Sequence, residues 1–98
     1  MIKTCNVNTS GNIQLEIDYQ PSIILLFGTN IHDYSMTLVY TTNSNINIGS
    51  FNGPGGMAPL TAININYYNK TLSFNLWQDS YGNTSEMYVG EFTCIFIK

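Results

Sequence analysis

Between Thr61 and Trp77 the chain alternates, turns and alternates again. Ile63, Ile65 and Tyr67 fall on one side of an extended backbone; Asn64, Asn66 and Tyr68 fall on the other. Beyond Asn69-Lys70, Leu72, Phe74 and Leu76 oppose Thr71, Ser73, Asn75 and Trp77. A period of two on both sides of a polar turn specifies a β-hairpin with one buried face. Centring the turn on Asn69-Lys70 predicts Tyr68 opposite Thr71, Asn66 opposite Ser73 and Asn64 opposite Asn75. That register gathers the six apolar residues on one face. The other face is then Asn, Ser and Thr with two aromatics, Tyr68 and Trp77.

The rest of the chain follows the same rule. Ile2–Val7 reads as a first strand, and Ser10-Gly11 as a turn. Ile13, Leu15, Ile17 and Tyr19 alternate with Gln14, Glu16 and Asp18 until Pro21. Ser22–Thr29 is apolar on both faces, which in an antiparallel protein predicts a strand covered twice, by the core and by a loop or neighbouring subunit. Tyr34–Thr42 and Asn45–Ser50 are further strands around an Asn43-Ser44 turn. Phe51–Leu60 holds three glycines and two prolines in ten positions and reads as a long loop. Gln78–Glu86 is a polar loop, and Met87–Ile97 is a closing strand with Phe92, Cys94 and Phe96 on one face. No window carries apolar residues at helical spacing through three turns. The expected architecture is all-β: one domain spanning 1–98, an antiparallel, jelly-roll-like β-sandwich of about eight strands with no substantial helix.

Composition narrows the partners. Charged residues are only 9% of the 98 residues, against roughly 25% in ordinary soluble domains. The three cations, Lys3, Lys70 and Lys98, are scattered, so there is no basic patch for nucleic acid or an anionic membrane. The apolar run Ile23–Phe27 is far too short to span a bilayer. No apolar leader precedes Cys5, which points to a chain used without classical export or to a domain of a longer chain. Cys5 and Cys94 lie near opposite termini. They would pair as a disulfide if the first and last strands were neighbours, or stay free and behave as small hydrophobes.

Catalytic chemistry has little to stand on. His32, Asp33 and Ser35 cluster in one loop, whereas triad members normally come from separate elements. Glu16 and Asp18 share the wet face of one strand. Asp79, Asn83 and Glu86 lack calcium-loop spacing, because Tyr81 falls where a carboxylate is wanted. No enzyme, metal or cofactor is expected. The best candidate site is geometric. The loops Phe51–Leu60 and Gln78–Glu86 leave the same end of the hairpin, so Phe51, Asn52, Trp77, Asp79, Tyr81 and Asn83 are expected to gather there. Aromatic faces flanked by amides and a carboxylate suit a sugar. The competing expectation is that Trp77 packs under loop 51–60 and seals the sandwich.

The succession LLFG, YSMTLVYTT, NINIGS with a Gly-rich loop, TAININYYNKTLSFNLW and a closing FTCIFIK resembles the small C-terminal tip domains of bacteriophage tail fibres and related receptor-binding proteins. The resemblance runs from about Ser22 to Lys98 and rests on patterned strands and a hairpin, so no ligand residue carries over by motif. It implies a compact β-sandwich, a homotrimer at the tip of a virion fibre. That tip would act outside the cell on a glycan or surface protein of a bacterial host, without membrane insertion. Two further expectations stand beside it: a structural trimerising cap of the fibre without receptor contact, and a carbohydrate-binding module of a secreted bacterial protein.

Overall fold

The computed structural model describes residues 1–8, 11–53, 56–78 and 87–98. Eight strands follow in order: β1 (Ile2–Val7), β2 (Asn12–Glu16), β3 (Ile23–Asn30), β4 (Ser35–Thr41), β5 (Asn47–Gly53), β6 (Gly56–Tyr68), β7 (Thr71–Trp77) and β8 (Gly90–Ile97). Among the described residues all strand pairings are antiparallel, and the spatial order is β1-β8-β3-β4-β5-β6-β7-β2. The all-β, eight-stranded reading holds.

The jelly-roll detail does not. Strands β3 to β7 pair in chain order, so the two layers are one continuous curled sheet, nearly closed like a barrel. The cause is β6, which is 13 residues long. Its first part pairs with β5 in one layer, from Gly56 to Leu60, and its second part pairs with β7 in the other, from Thr61 to Tyr68. At the corner the Asn47 side chain stands in for a ladder: its Nδ2 donates to the Ala62 carbonyl at 2.8 Å and its Oδ1 accepts from the Ala62 N–H at 2.9 Å. The sheet's two ends, β1 and β2, come side by side without pairing, and Lys3 Nζ reaches the Glu16 carbonyl at 2.8 Å.

The expected loop over 51–60 is mostly strand. Ser50 faces Pro59, Phe51 faces Ala58 and Gly53 faces Gly56. Pro59 is tolerated because residues 56–60 have β5 on one side only, so a missing N–H on the other side breaks no ladder.

The hairpin turn is as expected. Asn69 and Lys70 have φ of 53° and 61°, the left-handed pair of a type I′ turn. Tyr68 opposes Thr71 and Asn66 opposes Ser73. The expected Asn64–Asn75 pair is corrected: Asn75 faces Ile63, because a bulge intervenes and Asn64 has φ 55°. One extra residue reverses the facing of everything beyond it. Before the bulge Ala58, Leu60 and Ala62 are buried; after it Ile65 and Tyr67 pack against the core, and Ile63 is turned the other way.

Inward residues of both layers merge into one cluster, with Phe51, Phe74, Phe92, Phe96, Leu38 and Leu60 among the most deeply buried. Burying each such side chain contributes roughly 1.5–3 kcal/mol. Cys5 and Cys94 lie within it as free thiols. Their strands are antiparallel neighbours, but Cys5 faces Phe92 and Cys94 faces Lys3, so the cysteines meet on the diagonal.

Candidate functional site: the polar-aromatic face of the β2-β7-β6 layer

The outward face of the second layer is built by three registers. Glu16, Thr71 and Tyr68 form one row across β2, β7 and β6. Gln14, Ser73 and Asn66 form the next, and Asn12, Asn75 and Ile63 the third. Trp77 stands beyond them, opposite Thr61. The opposite side of β7 supplies Leu72, Phe74 and Leu76 to the core, which fixes the outward direction of the alternate residues. The result is a nearly uncharged patch of amides and hydroxyls with an aromatic residue at either end.

Those aromatics are accessible. Tyr68 is 76% exposed and Trp77 is 42% exposed. Trp77 lies six positions along β7 from Thr71, the partner of Tyr68, so the two backbone positions are about 20 Å apart along the strand. Trp77 is fixed from behind: the next residue, Gln78, is buried, and its backbone N–H donates to the Tyr88 hydroxyl at 2.8 Å. Trp77 therefore faces outward and does not seal the core.

The expected cluster is rearranged. Phe51 is only 2% exposed and stacks on Tyr34, with ring centroids 4.9 Å apart and an interplanar angle of 29°. Its ring is core, which corrects its assignment as a ligand contact: the strand β5 runs on past Ser50 and carries Phe51 inward. Gly53 leaves room for the Tyr34 ring, since an added Cβ there would collide with it. Asn52 faces outward, half-buried, and donates to Ser50 Oγ at 2.8 Å. It pairs with Met57, four residues along β6 from Thr61, so Asn52 and Trp77 do not share a site. Asp79, Tyr81 and Asn83 lie outside the described residues. Of the three expected residues that are described, Phe51, Asn52 and Trp77, it is Trp77 that stands on this face.

The face also holds residues absent from that expectation. Gln14 and Asn12 come from β2, far from the hairpin in sequence, and only the β2–β7 pairing brings them in. Tyr68, Asn66 and Ser73 were visible in the hairpin's alternation.

The His32-Asp33 loop is a turn built on Asn30. The buried Asn30 side chain accepts from the N–H groups of His32 and Tyr34 at 2.9 Å each and donates to the Met87 carbonyl at 2.7 Å. His32 and Asp33 are exposed on its rim. Among the described residues, no three His, Cys, Asp or Glu side chains gather to hold a metal ion. Among the same residues, no helix is long and apolar enough to cross a membrane. Comparison with protein-family models, curated proteins and solved structures finds no match to this chain.

Proposed function

We propose that this chain is a non-enzymatic adhesion domain that binds a neutral glycan on the outward face of β2, β7 and β6, and that it serves as a host-receptor-binding tip of a viral tail fibre. The observation that carries the reading is Trp77, an exposed indole held in place at the end of an amide and hydroxyl ladder. An indole face covers the apolar face of a pyranose, and the neighbouring amides bond its hydroxyls. A face with Gln14, Ser73, Asn66 and Asn75 presents donors and acceptors together, as a polyhydroxy ligand requires. The low charge of the chain fits an uncharged partner, and the resemblance of its succession of sequence patterns to those of fibre tips suggests the host-attachment setting.

The test is binding of the purified domain to bacterial surface polysaccharides and to simple glucans on an array. The expected result is binding to a surface polysaccharide, with Trp77→Ala weakening it at least about tenfold, the equivalent of roughly 1.4 kcal/mol, and Tyr68→Ala weakening it less. Binding to plant-type glucans alone would move the chain to the module of a secreted protein. Absence of any glycan or host-cell binding, with Trp77→Ala silent, would remove the proposal.

A further inference from the structure

The outward face of β2, β7 and β6 has a direction. In its middle, on β7, Thr71, Ser73 and Asn75 are short and half-buried. In the two rows nearest the hairpin turn, longer and exposed side chains flank them: Glu16 and Gln14 on β2, Tyr68 and Asn66 on β6. Neighbouring strands lie about 4.8 Å apart, so the two flanks rise from backbones about 10 Å apart across the β7 floor. Short residues between longer ones outline a shallow trough along β7. Trp77 stands in line with its floor, as the next outward residue of β7 after Asn75. At the other end Tyr68 forms one flank, and the floor ends at the exposed Asn69-Lys70 turn.

We propose that this trough takes an extended stretch of a linear, uncharged polysaccharide, laid along β7 with one sugar on Trp77 and another of the same chain at Tyr68. The inference rests on the glycan reading of this face and adds the form of the ligand, a chain instead of a terminal sugar. The first argument is length. A single pyranose reaches one of the two aromatic positions, whereas the span of about 20 Å between them holds about four rings end to end. The second is width. The flanks leave room for one chain, and a branch on its edge would meet Gln14 or Asn66. The third is polarity. Ser73 offers a hydroxyl at the floor, and Gln14 and Asn66 offer amides at the sides, so each ring of the chain finds donors and acceptors. The only charged side chain within the three rows is Glu16, which repels a polymer of acidic sugars. Once a sugar is seated on Trp77, contact at Tyr68 is intramolecular and adds affinity without a second encounter. Tyr68 is thus the residue that reads the length of the chain.

Titration calorimetry tests this with the neutral bacterial polysaccharide that the array selects, cut by partial acid hydrolysis and sized from a single sugar upward. Affinity is expected to rise at least about tenfold from the single sugar to fragments long enough to reach Tyr68, then to level off, with one fragment bound per domain. Tyr68→Ala is expected to weaken the long fragments several-fold and to leave the shortest unchanged. Ser73→Tyr fills the floor with a residue suited to a strand and is expected to act in the same way. Trp77→Ala is expected to weaken fragments of every length. A single sugar that binds as tightly as the longest fragment overturns the inference and leaves the glycan reading in place. So does long-fragment binding that is indifferent to both Tyr68→Ala and Ser73→Tyr. Failure of every intact polysaccharide to bind removes the glycan reading itself, and this inference with it.

Discussion

Lys70 sits at φ 61° with no glycine to absorb the strain. Of the non-glycine residues with positive φ, Asp33, Asn45, Asn64 and Asn69 have short polar side chains that tolerate this region, and Lys70 is the exception. Lys70→Gly converts the turn to Asn-Gly, the preferred pair for type I′. It is expected to stabilise the fold by about 0.5–1 kcal/mol, measured as a shift in the urea midpoint at constant slope. The cysteines give a second residue-scale expectation. The Cys94 thiol is pushed up by its hydrogen bond with Cys5 and by burial, whereas the same hydrogen bond lowers Cys5 against its own burial, with Lys3 assisting. Thiolate is the reactive species, so as pH rises Cys5 ionises first. Limited alkylation of the native protein followed by peptide mass mapping is expected to find Cys5 labelled before Cys94, and labelling of both is expected only on unfolding.

Within β6, the bulge at Asn64 does what alternation cannot show. A bulge changes which side of a strand is wet, and its only local sign here is an Asn, a residue able to take the left-handed conformation, in a run of alternating residues. Asn64→Val places a β-branched side chain at φ 55° and is expected to cost about 1–2 kcal/mol in denaturant unfolding, whereas Asn64→Gly is expected to be close to neutral. The same strand explains where reading the sequence succeeded and failed. The turn and the buried side of β7 follow from local pattern, and both hold; local pattern leaves open whether Trp77 faces out or packs under residues 51–60, and its exposure decides that. The loop over Phe51–Leu60 fails because Gly and Pro were read as breakers, while this segment has a free side where Pro59 needs no N–H partner. That error carried Phe51 into the candidate site. Gln14 and Asn12 escaped notice for a different reason: their neighbours on β7 are some sixty residues away, and pairing at that distance leaves no local trace.

At the scale of the whole molecule, a curled sheet separates two surfaces, a polar-aromatic one on β2-β7-β6 and one on β1-β8-β3-β4-β5 crossed by the aliphatic row Ile2, Ile95, Leu25, Val39 and Ile48. Neither depends on charge. The glycan binding proposed for the first is therefore expected to change less than about twofold in Kd between low and high salt, since screening acts on charged partners. A steep salt dependence in calorimetric titrations would instead indicate an anionic ligand held by the scattered lysines. The chain ends complete the design of the sheet. The Met1 ammonium donates to the Phe96 carbonyl at 3.1 Å, and the Phe96 N–H donates back to Met1 at 2.9 Å. First and last strands thus finish side by side at one end of the barrel. A short linker from Lys98 to Met1 would close the chain into a ring, and the exposed Thr42–Asn45 turn offers a place to reopen it. The domain can accordingly be circularly permuted, or spliced as a cassette into a surface loop of another protein, with both of its faces still presented.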